Sequence, residues 1–314
     1  MLPITAPTQT ATAGFRLNTG RIRDQWHTMT RTGKSPRLGQ HMGEPYAEIH
    51  PDDAADLGLG VADLIEITAG SHKTRLRALP TDKVARGALF APMHWTRQRL
   101  ATDPVNAVIQ TGTDPVSGQP ALKAGHVTAR KFDARWYGFV AAARTMSPVS
   151  DYCAIARTAT GWQAELAGAI ALDDAAALLE RLVGPLRGDV SDMQDTRAGL
   201  RRIAHRVDGI LEAVFYIGPD PVVVSREHAV ALIGTDANTT AALSARRAGN
   251  VQDPGATVCA CMGVGINDLH RALANGATTV EALGAATGAG TNCGACRPEL
   301  ASLLPDPLRT LAAE

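Results

Sequence analysis

Short runs of alternating polar and apolar residues fill much of the first 136 positions, and turn signals separate them. The run HKTRLRALP (72–80) alternates three cations with small or apolar residues. This period of two predicts a strand with one face in water. A Gly70–Ser71 turn joins it to DLIEITA (63–69), which predicts a β-hairpin. Two further runs predict strands, EPYAEIH (44–50) and GALFAPMHW (87–95).

The same region has one short segment of clear helical punctuation. PDDAADLG begins with Pro51 at the first helical position, has acids in the first turn, and meets a stop signal at Gly58. Short strands, tight turns and little helix within about 120 residues predict a small β-barrel.

Residues 137–250 mix strand and helix signals. Strand-like runs occur in two pairs, and Asp208–Gly209 breaks the second pair as a hairpin turn would. LDDAAALLERLVG predicts a helix that stops at Gly184, and SREHAVALIG predicts another from Ser225. The order ββαββα predicts a small α+β sandwich. It shows no constellation of catalytic side chains, so Cys153 is interpreted as a buried packing residue and the histidines as ordinary ones.

The stretch Asn18–Leu38, NTGRIRDQWHTMTRTGKSPRL, keeps neither period and predicts loop and short turns. It carries five Arg or Lys against one acid, with hydroxyl groups between them. Cations, hydroxyls and the backbone N–H groups of Gly20 and Gly33 are what a loop needs to bind phosphates or a polar heterocycle. Composition alone leaves a solvated basic loop open as the alternative.

Four of the five cysteines lie near the end of the chain in the pattern C-x-C-x31-C-x2-C: Cys259, Cys261, Cys293 and Cys296. Four thiolates in two close pairs can bind two sulfide-bridged irons or one tetrahedral zinc. The residues between and after the pairs predict three helices. These are NDLHRALANG, TTVEALGAATG with a capping box of Thr278 and Glu281, and RPELASLL.

Charge divides the chain into two unlike parts. Residues 1–136 carry 17 Lys and Arg against 12 acids, whereas residues 137–314 carry 14 against 19. The first part therefore suits an anionic ligand. Nucleic acid is a poor candidate, because the basic excess lies in one loop and residues 262–304 carry two Arg against three acids.

Length and composition place the chain among globular proteins. It has 314 residues with 45% hydrophobic content, enough for two or three domains. No apolar run reaches the roughly 18 residues of a membrane helix. The opening MLPITAPTQTATAG lacks the features of a signal peptide. We therefore expect a cytoplasmic protein without a membrane partner, in which cysteines serve metal or redox chemistry.

The order of residues in TGRIRDQWHTMTRTGKSPRL resembles the pterin-binding segment of the C-terminal domain of molybdenum nitrate reductases, whose metal is held by two molybdopterin guanine dinucleotides. YAEIHPDDA, GALFAPMHW, NAVI (106–109) and DPVSGQPALKAGHV (114–127) continue the resemblance in order. It implies a double-psi β-barrel over residues 15–136. It also implies these cofactor contacts: Thr19, Gly20, Arg21, Gln25, Trp26, His27, Thr28, Asn106 and Lys123.

VCACMGVG and TNCGACRPEL resemble the 2Fe–2S domain of bacterioferritin-associated ferredoxin, which some assimilatory nitrate reductases carry at their C-terminus. This resemblance implies a small all-α domain over residues 255–305, with the four clustered cysteines as cluster ligands. Residues 137–250 would be an α+β unit between the two. The whole is a multi-domain, β-rich chain that resembles the C-terminal part of an assimilatory nitrate reductase, which reduces nitrate to nitrite.

The resemblance covers only part of such an enzyme. Members of the family carry an N-terminal cysteine motif for a 4Fe–4S cluster and a cysteine that binds molybdenum, and before Cys259 this chain has only Cys153. We therefore expect no catalytic residue here, inactivity in isolation, and two partners: the N-terminal catalytic portion and an electron-donor protein or subunit. The alternatives are a stand-alone electron-transfer or cofactor-binding module, and another molybdopterin oxidoreductase such as a formate dehydrogenase.

Overall fold

The computed structural model describes residues 14–60, 62–109, 112–120, 122–123, 125–244, 246 and 252–305. Residues 1–13, on which the expectation about a signal peptide rests, lie outside these ranges. Among the described helices, none combines the length and the apolar character that crossing a membrane requires.

Six strands close into a barrel, in the order β1-β5-β2-β4-β3-β6. β1 runs parallel to β5 and β2 parallel to β4, while the other neighbours are antiparallel. This mixed closed barrel confirms the predicted double-psi β-barrel class. The strands are β1 (Phe15–Gly20), β2 (Tyr46–Ile49), β3 (Leu64–Ala69), β4 (His72–Pro80), β5 (Ala88–Pro92) and β6 (Gly125–Lys131).

Two short helices lie between the first three strands. At the second helix, the predicted start at Pro51 and the predicted stop at Gly58 are confirmed. α1 (Pro36–Gln40) follows a 3-10 turn at Thr32–Lys34, and α2 (Pro51–Asp56) starts at a proline. After α2 the backbone at Gly58 has a φ of +66°, which ends the helix because glycine adopts it without steric cost. The core of the barrel is aliphatic, with Leu17, Ile65, Ile67, Leu76 and Leu89 almost fully buried.

The expectation that one face of β4 lies in water is wrong. Of its three cations only Lys73 is exposed. Arg75 is buried, with Nε donating to Glu66 at 2.8 Å and a second nitrogen reaching Asp151. Arg77 forms a 2.8 Å ion pair with Glu44. The alternation is present, but the middle of the chain packs over this face, and the two arginines are paired chiefly with Glu66 and Glu44 of the barrel region.

The middle unit is a six-stranded antiparallel sheet in the order β10-β11-β12-β7-β9-β8. One helix packs on one face and two on the other, so both faces are covered. The elements are β7 (Trp136–Ala142), β8 (Tyr152–Arg157), β9 (Trp162–Gly168), α3 (Ala175–Val183), β10 (Asp189–Asp195), β11 (Leu200–Val207), β12 (Ile210–Gly218), α4 (Arg226–Leu232) and α5 (Thr239–Ser244).

The predicted order ββαββα is therefore incomplete, because β9, β10 and α5 were missed. β10 is an edge strand with mostly exposed polar residues, so it has no apolar pattern to recognise. β9 carries Glu165 in its buried half, where Arg226 neutralises it through a pair of hydrogen bonds. Cys153 is buried as predicted, and burial raises the pKa of its thiol to about 12.

The terminal unit contains a two-stranded hairpin as well as helices, so it is not all-α. Its elements are β13 (Thr257–Cys259), β14 (Val264–Gly265), α6 (Ile266–Ala274), α7 (Val280–Thr287) and α8 (Arg297–Leu303). The three predicted helices are confirmed. The predicted capping box is off by one residue, because Thr279 and not Thr278 is the N-cap, accepting from the N–H of Ala282 at 3.0 Å.

Candidate functional site

The end of β1 brings together three of the predicted cofactor residues. Thr19 is buried and its hydroxyl donates to the carbonyl of Leu122 at 3.0 Å. The ammonium group of the exposed Lys123 donates to the Thr19 carbonyl. A Cβ at Gly20 would lie 2.7 Å from the Phe90 ring and 3.8 Å from Lys123 Nζ, so glycine leaves this approach open. Residues about a hundred positions apart thus form one polar corner at the barrel end.

Beyond that corner, the loop presents an exposed cluster of aromatic and cationic groups. Trp26 is 42% exposed and its ring lies 4.4 Å from that of His27, edge to face. The guanidinium groups of Arg21 and Arg31 lie 5.4 Å and 5.6 Å from the Trp26 ring, within cation–π distance. Thr28 is exposed next to them. An aromatic face with two cations suits a flat, anionic ligand.

Two of the predicted contacts lie elsewhere. Gln25 is only 7% exposed, its amide donates to the Leu38 carbonyl at 3.0 Å, and its oxygen accepts from the Thr32 hydroxyl at 2.6 Å. These bonds occupy both ends of the amide, so Gln25 holds the loop in shape. Asn106 is exposed on a separate 3-10 turn, Val105–Val108, that packs against β3 and β4.

His94 is a loop-holding residue that the sequence analysis missed. It is fully buried after β5, where its Nε2 accepts from the N–H of Ile22 at 3.0 Å and its Nδ1 donates to the carbonyl of His27. One imidazole thereby fixes both ends of the segment that carries Trp26. Burial lowers the pKa of His94 more than its bond to His27 raises it, which keeps the ring neutral. It stood within the predicted strand run GALFAPMHW, but nothing in that run marks its partners.

Two other cations of the loop contact the terminal unit, Arg23 in a partly buried position and Arg37 in an exposed one. Arg23 donates to the carbonyl of Val258 and to Glu299. Arg37 donates to the carbonyl of Cys261 at 3.2 Å. Burial raises the pKa of Asp24, but hydrogen bonds from His41 and Arg23 outweigh it and lower the pKa overall. The basic excess of the loop is therefore divided between an exposed surface and a contact within the chain.

The four clustered cysteines come together as the sequence predicts. Cys261 Sγ lies 3.7 Å from Cys259 Sγ and 3.6 Å from Cys293 Sγ, and Cys296 is close enough to Cys259 for the two thiols to affect each other's pKa. Cys259 and Cys296 are buried, whereas Cys293 is exposed. Among the described residues, no group of three or more His, Cys, Asp or Glu is arranged to bind a single metal ion. Judged as a site for a binuclear cluster, the four thiols have the number and pairing required.

Local turns place these thiols. Cys259 ends β13, Cys261 lies in the hairpin turn, and Cys296 precedes α8. Gly290 and Gly294 have φ values of +76° and +73°, so the second pair sits on backbone that glycine alone adopts readily.

The pKa values of two of the clustered thiols are shifted in opposite directions. Burial raises the pKa of Cys296 to about 11. Burial also raises the pKa of Cys261, but hydrogen bonds from Cys293 and Cys259 outweigh it and bring that pKa below its usual value. Thiols so close together are suited to bind as thiolates around a positive centre.

In the comparison with known proteins, one family model matches the barrel region and another matches the terminal unit. Residues 15–125 match the family model of the Molydopterin dinucleotide binding domain, and residues 257–306 match that of the BFD-like [2Fe-2S] binding domain. A nitrate reductase of Klebsiella oxytoca is 33% identical over 97% of this chain and 36% of its own length. A nitrate reductase of Shewanella frigidimarina is 32% identical over 40% of this chain and 15% of its own length.

A third relative is the F420-dependent formate dehydrogenase subunit alpha of Methanocaldococcus jannaschii, 32% identical over 35% of this chain and 16% of its own length. The chain spans little more than a third of the length of the Klebsiella oxytoca nitrate reductase. Further domains or subunits therefore accompany the corresponding region in these relatives. The chain therefore contains a molybdopterin dinucleotide-binding domain followed by a BFD-like [2Fe-2S] binding domain, and along nearly all of its length it is similar to the C-terminal part of a nitrate reductase.

Proposed function

We propose that this chain works as part of a molybdenum nitrate reductase of the assimilatory type, which reduces nitrate to nitrite by two electrons. The observation that carries the proposal is the convergence of four thiols in one cluster, in a chain whose barrel loop presents an aromatic and cationic surface. Similarity to a nitrate reductase over 97% of the chain supports this choice of substrate.

Cys259, Cys261, Cys293 and Cys296 would hold a [2Fe–2S] cluster, which when bound accepts and donates one electron at a time. The buried Cys259 and Cys296 would anchor it in the protein, and the exposed Cys293 would lie at the surface. The fit rests on the soft sulfur donors and on their spacing.

The barrel would bind part of the molybdopterin guanine dinucleotide. Lys123 and Arg21 would supply positive charge to the phosphates, and Trp26 would offer its ring face to a heterocycle. The remaining proposed contacts are Thr19, Gly20, His27, Thr28 and Asn106. Gln25, which the resemblance assigned to the cofactor, would act by holding the loop.

The first test concerns the cluster. The chain purified without oxygen from iron-replete cells should contain two irons and two acid-labile sulfides, and should show the visible absorption of a [2Fe–2S] centre. Stoichiometric zinc without sulfide would contradict the proposal and assign the thiols to a structural zinc site.

The second test concerns turnover. The chain alone should not reduce nitrate with a strong artificial donor, because a barrel that covers one side of a large cofactor buries little of it. Supplied with the remainder of the enzyme, it should support nitrate reduction. In that assembly Arg21→Ala and Lys123→Ala should lower the molybdenum content. Sustained nitrate reduction by the isolated chain would contradict this assignment.

Similarity to a formate dehydrogenase subunit over 35% of the chain supports a second candidate function, formate oxidation. The chain is similar to both kinds of relative, so activity has to be measured on the assembled enzyme. Assays of the same preparation with nitrate and with formate would separate the two, and turnover of formate alone would favour this second candidate.

A further inference from the structure

The cofactor loop, residues 18–38, is in direct contact with the terminal unit through two arginines. Each of the three guanidinium nitrogens of Arg23 donates a hydrogen bond: Nη2 to the Val258 carbonyl, Nη1 to Glu299 at 2.5 Å, and Nε to Asp24 at 3.0 Å. Arg37 adds one bond to the Cys261 carbonyl at 3.2 Å. Charge-assisted bonds of this kind, made by a planar fork, fix orientation as well as contact.

The acceptors of these bonds lie next to the cluster ligands in the sequence. Val258 directly precedes Cys259, and the carbonyl that Arg37 contacts belongs to Cys261 itself. Glu299 lies in the first turn of α8, three residues after Cys296. The loop therefore contacts the backbone that positions the first pair of thiols and the helix that starts at the last one.

The same loop carries the exposed surface proposed for the dinucleotide. Arg21 and Trp26 point to solvent, whereas the side chain of Arg23 between them is only 19% exposed. One short segment thus presents the surface proposed for the dinucleotide on one side and contacts the cluster-binding unit on the other. His41 lies at the same junction, 2.9 Å from Asp24 and 3.7 Å from Glu299.

We propose that Arg23 is a positioning residue that docks the cluster-binding unit on the cofactor loop and favours the reduced cluster. This rests on the cluster assignment proposed above. Reduction adds one negative charge to the cluster, and a permanent, half-buried cation nearby stabilises that charge. Glu299 partly offsets the cation, so the two side chains act on the reduction potential in opposite directions.

The test measures the reduction potential of the cluster in the full chain by a redox titration followed in the visible spectrum. Arg23→Gln should lower the equilibrium constant for reduction about tenfold, which is about 59 mV for one electron. Glu299→Gln should shift the potential upward. Arg23→Lys keeps the charge and should stay closer to the unmodified chain. Arg271→Gln is the matched control, because Arg271 is paired with Asp268 on its own helix, α6.

Hydrogen–deuterium exchange provides the independent readout of docking. In Arg23→Gln, amides of residues 22–28 and 257–260 should exchange faster, and in Arg23→Lys they should also exchange faster because one ammonium cannot replace the fork. Arg271→Gln should leave both segments unchanged. If Arg23→Gln does not fold, Glu299→Gln decides, since its potential should still rise.

The inference is overturned if Arg23→Gln changes the potential and the exchange no more than Arg271→Gln does, or if Glu299→Gln leaves the potential unchanged. Absence of any cluster in the unmodified chain would be a different failure, since it would remove the proposed iron–sulfur function. Exchange of residues 22–28 in that cluster-free chain would still report whether Arg23 docks the two units.

Discussion

The cofactor loop and the cysteine unit differ in what positions their side chains: distant contacts in the loop, and local turns in the cysteine unit. In the cysteine unit the four thiols come from two short segments, and glycine turns next to those segments place them. In the cofactor loop the shape depends on distant residues: His94 and Lys123 from the barrel, and the Val258 carbonyl from the terminal unit. A site made of local turns can be recognised from spacing, whereas a site made of distant contacts cannot.

The same difference separates loop residues that look alike in the sequence. Gln25 and Arg23 have the same appearance in the sequence as Trp26 and Arg21, polar or cationic groups in a loop. In the structure the first two are used inside the protein and the second two face solvent. Only the positions of their partners separate the two sets: Leu38 and Thr32 for Gln25, and Val258 and Glu299 for Arg23.

The largest expected effect is loss of the cluster from the cysteine unit. Cys293→Ser should abolish iron and sulfide binding, because a hydroxyl is a poor replacement for a thiolate ligand of iron. Iron, sulfide and visible absorption measure the result. Cys153→Ser is the control and should retain the full content, since its thiol is buried in the middle sheet. Equal loss of iron and sulfide in both variants would contradict the assignment of the four clustered cysteines as the cluster ligands.

Gly265→Ala tests whether the cysteine unit depends on its own turns. A Cβ there would lie 1.9 Å from the carbonyl oxygen of Pro254, so the hairpin that carries Cys259 must shift. We expect a loss of about 3 kcal/mol in the free energy of unfolding of this unit, with a lower iron content. Gly112→Ala, where no atom lies within 4 Å, should leave both unchanged.

His94→Ala tests whether the cofactor loop depends on a distant residue. It removes two hydrogen bonds and a buried ring, so we expect a loss of about 2 kcal/mol in stability and faster proteolysis within residues 22–28. Thermal unfolding and limited proteolysis measure these effects. His126→Ala, at an exposed position of β6, is the control. An unchanged cleavage pattern in His94→Ala would mean that the loop holds its own shape.

The depressed pKa of His94 predicts a pH dependence for the same loop. The unfolded chain binds a proton at His94 below about pH 6.5, while the folded chain resists it. This contribution to stability is therefore present above about pH 6.5 and is lost as the pH falls through the lowered folded pKa. Unfolding of the original chain and of His94→Gln at pH 7.5 and 5.5 should show a smaller pH effect in the variant.

The smallest expected effects come from within the loop. Gln25→Ala should cost about 1 kcal/mol of stability, because it leaves the Thr32 hydroxyl and the Leu38 carbonyl without their partner. Trp26→Ala should change stability by less than about 0.5 kcal/mol, because Trp26 lies at the surface, 42% exposed, and outside the core of the barrel. In the assembled enzyme, Trp26→Ala should lower the molybdenum content more than Gln25→Ala does. If the two variants had equal effects on stability and on molybdenum content, Gln25 could not be distinguished as a residue that holds the loop from Trp26 as one that binds the cofactor.

Much of the fold could be predicted where the local pattern and the final environment agree. The Asp208–Gly209 turn is an example, since both residues have positive φ and join β11 to β12 as a two-residue hairpin. β10 was missed because an exposed edge strand needs no apolar residues. Arg75 and Arg77 were placed in water because a sequence shows the alternation of a strand but not what packs against it.

The sequence by itself determined the barrel strands β2 to β5, the helix ends at glycine and the four clustered cysteines, whereas β1 and β6 were not among the predicted strands. Each of these depends on interactions within a few residues, namely strand alternation, backbone freedom at glycine and the short spacing of the thiols. Only the tertiary structure decided that His94 holds the loop, that Gln25 is internal, and that Arg23 joins the loop to the cysteine unit. Those roles depend on hydrogen-bond partners as many as 276 positions away, and a side chain's type does not specify which distant partner the fold will bring to it.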